Sequence, residues 1–347
     1  MVKQGSWKSA IIETANSWEE ANNVAYRRGW TDGLPIVPPT EARVRRMLGR
    51  IGRSSDEVVA NLPPKNGAAT IEKIAINAVM AGCLPSHLSV LIAAVEAMAE
   101  PDFNLHGIQA TTNPAGPMAI INGPIRHELE MNCGRNVMGP GNRANARIGR
   151  AIRLILLNIG GGIPEEVDKA SQGFPGKYLF CIAENEEASA FEPLHVERGF
   201  KREDSTITMV GAQGTTNVLT ATFTDIHHML LVMADAMSYM GSNNVAGGGG
   251  EPLLLVTPGH SELLAKAGFS KASTKLFLYD HVGFPATRYP PCMRPERVER
   301  VTKEGVIRPA RRAEDIMIVV AGGPEPFHAT FVPTFGDTWA VTKRIPV

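Results

Sequence analysis

The chain has 347 residues, 35 Lys and Arg balanced by 35 Asp and Glu, and 44% hydrophobic residues. That length makes one large domain or two ordinary ones, and the apolar share excludes wholesale disorder. A formal charge of zero leaves no excess positive field to draw in nucleic acid or an anionic membrane surface.

Residues 8–28 alternate apolar and polar side chains in a helical rhythm that ends at Gly29. The string at 30–39 (WTDGLPIVPP) forbids regular helix, because Asp-Gly favours a tight turn and each proline removes a donor; a stiff extended arm is expected. Thr40 is a suitable N-cap for a helix to about residue 48. After a break at 63–67, helical spacing predicts helices over 70–82 and 86–99, then short strands at 107–111 and 118–121. A helix over 142–158 runs into three glycines, and 178–183 reads as a buried strand followed by an acidic, irregular stretch at 184–197. Beyond it come a strand at 207–210, a Met-rich helix over 225–240, a glycine loop at 247–250 and an apolar strand at 253–256. Helices over 259–267 and 270–281 and a strand at 316–320 complete the pattern. The segment 327–347 lacks helical period and is expected to wrap a neighbouring lobe or subunit.

Helices interleaved with short apolar strands predict an α/β fold, with two lobes of mixed sheet flanked by helices. The expected division is an N-terminal helix and arm over 1–65, a first lobe over 66–200 and a second over 201–347. The string at 117–129 resembles that at 252–263 once one gap is allowed, each reading as strand, Gly/Pro turn, helix. An internal duplication would account for the likeness; any buried strand entering a helix would also look this way.

Cys83, Cys133, Cys181 and Cys292 lie far apart and form no Cys-x-x-Cys pair, which argues against a zinc knuckle, a dithiol couple or a disulfide framework. The first twenty residues lack an apolar core, and the longest apolar stretch, 84–99, contains His87 and Glu96. The expectation is a cytoplasmic protein with no membrane span.

The strongest local signal for a site is 139–145 (GPGNRAN), where glycines precede a helix start. Free amides at such a terminus attract anions, and Arg143 adds a forked donor for carboxylate or phosphate. Asn142, Arg143 and Asn145 are therefore candidate substrate-binding residues, joined by Asn113, Asn122 and Gly249 from the other Gly/Asn-rich turns. The helix has no Gly-Lys-Ser/Thr ending, so it is not a P-loop, and the glycines at 247–250 precede a strand, which disfavours a dinucleotide fingerprint. His260 follows the strand at 253–256 and is placed where open α/β sheets bind ligands, as a candidate general acid or base. Lys177, Cys181 and Glu184 surround one strand and supply an amine, a thiol and a carboxylate for nucleophilic or proton-transfer chemistry. An ordinary reading stands beside each: a capping histidine, an inert buried thiol, a solvated charge run.

Five strings together, 30–39, 139–145, 172–178 (QGFPGKY), 192–200 (EPLHVERGF) and 258–260 (PGH), resemble a largely uncharacterised bacterial family. Members of it accompany small proteins with a selenocysteine- or cysteine-Gly-Ser-Cys (UGSC-type) motif. This chain departs from that motif at Cys133-Gly134-Arg135-Asn136, so the resemblance implies a separate partner bearing a reactive thiol or selenol.

The expected function is an enzyme, lyase or hydrolase in type, that cleaves a carbon–heteroatom bond of a small anionic organic molecule with proton assistance. One alternative is a non-catalytic binding or scaffold subunit for the thiol/selenol partner. The other is a divalent-metal hydrolase or lyase with His195, His260 and His281 as candidate ligands. A homo- or hetero-oligomer is expected in either case.

Overall fold

The computed structural model describes residues 7–221, 225–290, 292 and 299–346. Helix α1 (Trp18–Arg27) and α2 (Glu41–Leu48) flank the arm, and a hairpin, β1 (Val58–Leu62) and β2 (Gly67–Thr70), leads into α3 (Ile71–Met80) and α4 (Leu88–Met98). Short α5 (Leu105–Ala110) precedes β3 (Gly116–Asn122), α6 (Ile125–Glu128), the long α7 (Arg143–Asn158), β4 (Cys181–Ala183), α8 (Leu194–Glu197) and β5 (Thr206–Ala212). The remainder runs β6 (Thr216–Leu219), α9 (Ile226–Ala236), α10 (Asn243–Ala246), β7 (Leu253–Val256), α11 (Pro258–Lys266), α12 (Lys271–His281), β8 (Phe284–Pro285), β9 (Val306–Ile307), β10 (Met317–Val320), β11 (His328–Val332) and β12 (Val341–Arg344). No helix among the described residues is long and apolar enough to cross a membrane.

Two four-stranded mixed sheets carry the fold, ordered β12-β5-β3-β4 and β10-β7-β11-β6. They pack face to face. Alternate residues of each strand, Met118, Ile120 and Ile182 on one side and Leu253, Leu255, Met317 and Val319 on the other, form the layer between the sheets. The intervening residues face outward: Ala119, Ile121 and Cys181 meet α3, α4 and α7, while Leu254, Val256 and Ile318 meet α9, α11 and α12. The result is four layers, helices–sheet–sheet–helices. Strands covered on both faces need apolar residues at every position, which is why 118–121 and 253–256 read as uninterrupted apolar runs.

The two sheets share one plan. In each, a parallel pair (β3 with β4, β7 with β10) is followed by an antiparallel strand (β5, β11) and then by another (β12, β6). The parallel crossovers run through α7 in one half and α11–α12 in the other. The fourth strand is exchanged: β6 directly follows β5 in the chain yet pairs with β11, and β12 follows β11 yet pairs with β5. The strings at 117–129 and 252–263 occupy matching places, each forming the first strand of its parallel pair and the turn after it. This matched topology is what a duplicated half with swapped last strands would produce.

Several sequence expectations need correction. The segment 107–111 is not a strand: Asn104 accepts the Gly107 amide as an N-cap, and α5 buries Leu105 and Ile108. The helix over 225–240 closes at Ala236. The lobe boundary at 200/201 falls before β5, which belongs to the first sheet, so the chain leaves that sheet only after Ala212. The tail does wrap a neighbouring lobe, since β12 returns to the first sheet and sets Ile345 in its core.

Ending the chain at Gly336 removes β12 and Ile345. The truncated protein is expected to lose at least about 2 kcal/mol, from burial of Ile345 alone, read as a lower denaturant midpoint. An unchanged midpoint would show that the exchanged strand does not hold the first lobe.

Candidate active site

The arm after α1 is shaped by its own side chains. Thr31 donates to the Leu34 carbonyl at 2.6 Å, and Asp32 Oδ1 accepts the Leu34 amide at 3.2 Å. Gly33 turns through φ +95°, a conformation that L side chains rarely adopt. Arg150 of α7 locks this turn in place. Its Nε and Nη2 fork onto Asp32 at 2.8 and 2.9 Å, and Nη2 also reaches the carbonyls of Leu34 and Pro35. Burial works against the Asp32 carboxylate, but the Arg150 guanidinium and the backbone amides of the turn together outweigh it and hold the group below the usual range.

One turn further along α7, Arg153 faces the loop 164–178. Residues of that loop, the arm and α7 line a cleft of about 1050 Å³, including Thr31, Asp32, Arg153, Asp168, Gln172, Lys177 and Tyr178. A 3₁₀ turn at Pro175–Lys177 aims Lys177 inward, and its stem passes over Gly116, where an added Cβ would stand 3.2 Å from Lys177 Cγ. Lys177 Nζ donates to Asp168 Oδ2 at 2.5 Å, and Arg153 Nη2 lies 3.7 Å from the same oxygen. Arg153 Nη2 also donates to the Gly162 carbonyl at 3.3 Å. Two cations thus share one carboxylate, leaving a local excess of positive charge at the cleft floor. Burial depresses the pKa of the Lys177 ammonium against the pull of Asp168, and burial likewise lowers that of Arg153. A desolvated cation pair favours an incoming anion that restores the charge balance.

Among the residues singled out from sequence, Lys177 alone lines this cleft. Asn113 lies nearby on the β3 approach, its side-chain oxygen accepting from Gln213 Nε2 at 3.1 Å. Asn142 makes no cap hydrogen bond, Arg143 is exposed, and neither lines the clefts described here. Asn145 is buried and committed to both backbone groups of Asn132. The helix contributes through its far half instead, by Arg150 and Arg153.

Asn122 and Glu184 do meet, but inside a closed polar joint. Asn122 Nδ2 donates to Glu184 Oε2 at 2.6 Å and Glu186 Oε1 at 2.9 Å, and Leu194 N donates to Glu184 Oε2 at 2.8 Å. Arg126 forks onto Glu187 and touches Glu186. Asn185 N donates to Val320 O at 2.7 Å, so this joint ties the end of β4 to the end of β10. Burial pushes the Glu184 carboxyl above its ordinary range. The acidic stretch is thus partly core, where a solvated charge run was the bland expectation. Cys181 faces the helices from β4, and burial pushes its thiol above the ordinary range, which removes the thiolate that nucleophilic chemistry needs.

His260 is the N3 member of the α11 capping box, with Thr257 as the N-cap. Its Nδ1 accepts from the Thr257 amide at 3.1 Å and faces Thr257 Oγ1 at 2.8 Å, so the Nε2 proton points to Thr220 Oγ1 at 2.8 Å. Both ring nitrogens are engaged and the ring is fully buried, so the proton-transfer role assigned from sequence has no open nitrogen here. Gly249, at φ +105°, belongs to a packed loop whose carbonyl accepts from Asn244 Nδ2. His195 is buried beside Glu186, whereas His281 is exposed and stacked on Phe277. With His260 capping α11, these three histidines form no common ligand set among the described residues.

Asp168 and Arg153 escaped the sequence reading. Arg153 looks like one more basic residue on an amphipathic helix, and Asp168 sits in a loop with no motif. A second cleft, about 590 Å³, lies at the carboxyl ends of β7 and β10, between Arg135–Gly139 and Gly322, Gly323, His328 and Thr330. Its one guanidinium, Arg135, is already paired with Glu325.

Burial holds His260 neutral, with its pKa pulled down to about 4 from 6.5. Its contribution to stability is complete above pH 6.5 and drains as the pH falls toward 4, because the unfolded chain takes up the proton first. His260→Gln should therefore make the dependence of unfolding free energy on pH shallower by about 1.4 kcal/mol per unit in that window; an unaltered slope would contradict a neutral, buried ring. Arg150→Met strands the Asp32 carboxylate and is expected to cost about 3 kcal/mol, with protease cleavage appearing in the arm. If the arm stays protected and the stability stays unchanged, the fork does not hold it.

Neither a protein-family model nor a curated protein sequence matches this chain.

Proposed function

We propose that the protein is an enzyme for a small organic anion bound in the cleft between the arm, α7 and the loop 164–178, and that it cleaves a carbon–heteroatom bond with proton assistance. One observation carries this reading: two half-buried cations, Arg153 and Lys177, converge on the single carboxylate of Asp168 in a solvent-connected cleft. The guanidinium holds the anionic group, and the Lys177–Asp168 pair takes or gives the proton at the reacting atom. The ammonium's lowered pKa brings proton exchange closer to neutral pH.

A second reading, a subunit that docks a thiol- or selenol-bearing partner, is favoured by the exposed apolar side chains Ile11, Trp18, Tyr26 and Leu34 of the N-terminal segment and arm. The two readings are compatible, since the arm walls the cleft.

Calorimetric titration with inorganic phosphate and a panel of small mono- and dicarboxylates tests the anion site. At least one carboxylate is expected to bind saturably, with affinity reduced about 10- to 100-fold by Arg153→Met, the loss of a charged hydrogen-bond partner. Asp168→Asn should retain binding and abolish turnover of any substrate so identified. The reading is overturned if no anion in the panel binds, or if Arg153→Met binds as tightly as the parent.

A further inference from the structure

We infer that Lys177 is a nucleophilic amine that forms an imine with a 2-oxo acid, whose carboxylate is received by Arg153. This deepens the anion-site reading and rests on it. Several observations point the same way. The amine lies within hydrogen-bond reach of a carboxylate that can accept its proton, Nζ to Asp168 Oδ2 being 2.5 Å. Arg153 approaches the same oxygen at 3.7 Å, so amine and guanidinium stand a few ångströms apart. That spacing suits a carbonyl carbon and the carboxylate attached to it. Arg153 spends Nη2 on Gly162 and Asp168, while Nε and Nη1 make no hydrogen bond to the described residues, leaving donors for a carboxylate. Burial favours the neutral, nucleophilic form of the amine.

Lys271 and Lys275 serve as an internal contrast. Both are buried, yet both close on Glu197 and line neither cleft. Burial alone therefore does not single out Lys177; its combination with an open cleft and an adjacent guanidinium does.

The chemistry balances without any external oxidant or reductant. Asp168 takes a proton from the ammonium, and the Nζ lone pair attacks the carbonyl carbon, forming a C–N bond as the carbonyl π pair moves to oxygen. The alkoxide so formed takes a proton from the adjoining nitrogen to give a neutral carbinolamine, whose hydroxyl leaves as water when Asp168 returns its proton, and the freed nitrogen lone pair closes the C=N bond. The product is a protonated imine plus one water. That iminium withdraws electrons from the neighbouring carbon, which eases loss of a proton there and expulsion of a heteroatom group one carbon further on, consistent with the bond cleavage proposed above.

Incubation of the full chain with pyruvate or glyoxylate and sodium borohydride, followed by peptide mass mapping, tests the inference. A reduced secondary amine at Lys177, in clear excess over every other lysine, is the expected result, absent in Lys177→Arg and at least tenfold slower to form in Arg153→Met. Calorimetry with the same acids, without borohydride, runs in parallel on the wild-type chain. Binding of the acid with no adduct at Lys177, or with adducts spread evenly over surface lysines, overturns the imine and leaves the anion site standing. Neither binding nor adduct overturns both. Because the decisive mapping is done on the wild-type chain, a variant that fails to fold does not blur the outcome.

Discussion

The reciprocal exchange of edge strands between the sheets is the constraint on which the rest of the molecule depends. A four-stranded sheet covered by helices on one side only would expose its second apolar face, and here each sheet covers the other. The exchange makes that covering obligatory: β6 cannot pair with β11, nor β12 with β5, unless the halves lie together. Completing either sheet therefore requires both halves, which argues for unfolding as one cooperative unit. The Asn122–Glu184–Glu186 joint reinforces the same contact where β4 meets β10, at the cost of burying carboxylates that only a full set of donors can satisfy.

Within that frame, α7 links structure to site. Its apolar face, Ile148, Ile152 and Ile155, packs into the first core, which fixes the direction of the polar face. Arg150 spends its fork on the arm and Arg153 is left to the cleft. Two residues of the same type, three apart on one helix, thus have different tasks, decided by what lies opposite: a carboxylate with two carbonyls in one case, a shared carboxylate at the edge of a cavity in the other. The site lies beside the start of β3 and the loop before β4, away from the strand carboxyl ends where a general α/β rule would seek it. Those ends are occupied in the first sheet by the closed polar joint.

Much of the architecture was legible because burial leaves a periodic trace. Apolar runs at 118–121, 253–256 and 316–320 announced strands covered on both faces, and the helices expected over 70–82, 142–158 and 270–281 followed from apolar spacing, the structure setting them at 71–80, 143–158 and 271–281. Edge strands such as β6 and β12 leave no such trace, since Val218 is the one fully buried residue between them and their pairing partners lie more than a hundred residues away. The α5 segment misled because Ile108 and its neighbours suit a strand as well as a helix, and only the Asn104 cap decides between them.

The sequence by itself determined the α/β class and the stiff arm, because these follow from periodicity and from the backbone limits of proline and glycine. It also marked Lys177 as an amine worth watching. Tertiary structure alone decided that Lys177 shares Asp168 with Arg153, that Arg143 faces solvent, and that His260 closes a capping box. The physical reason is that the charge balance and desolvation of a side chain are properties of whatever packs around it, and those neighbours come from segments far away in the chain.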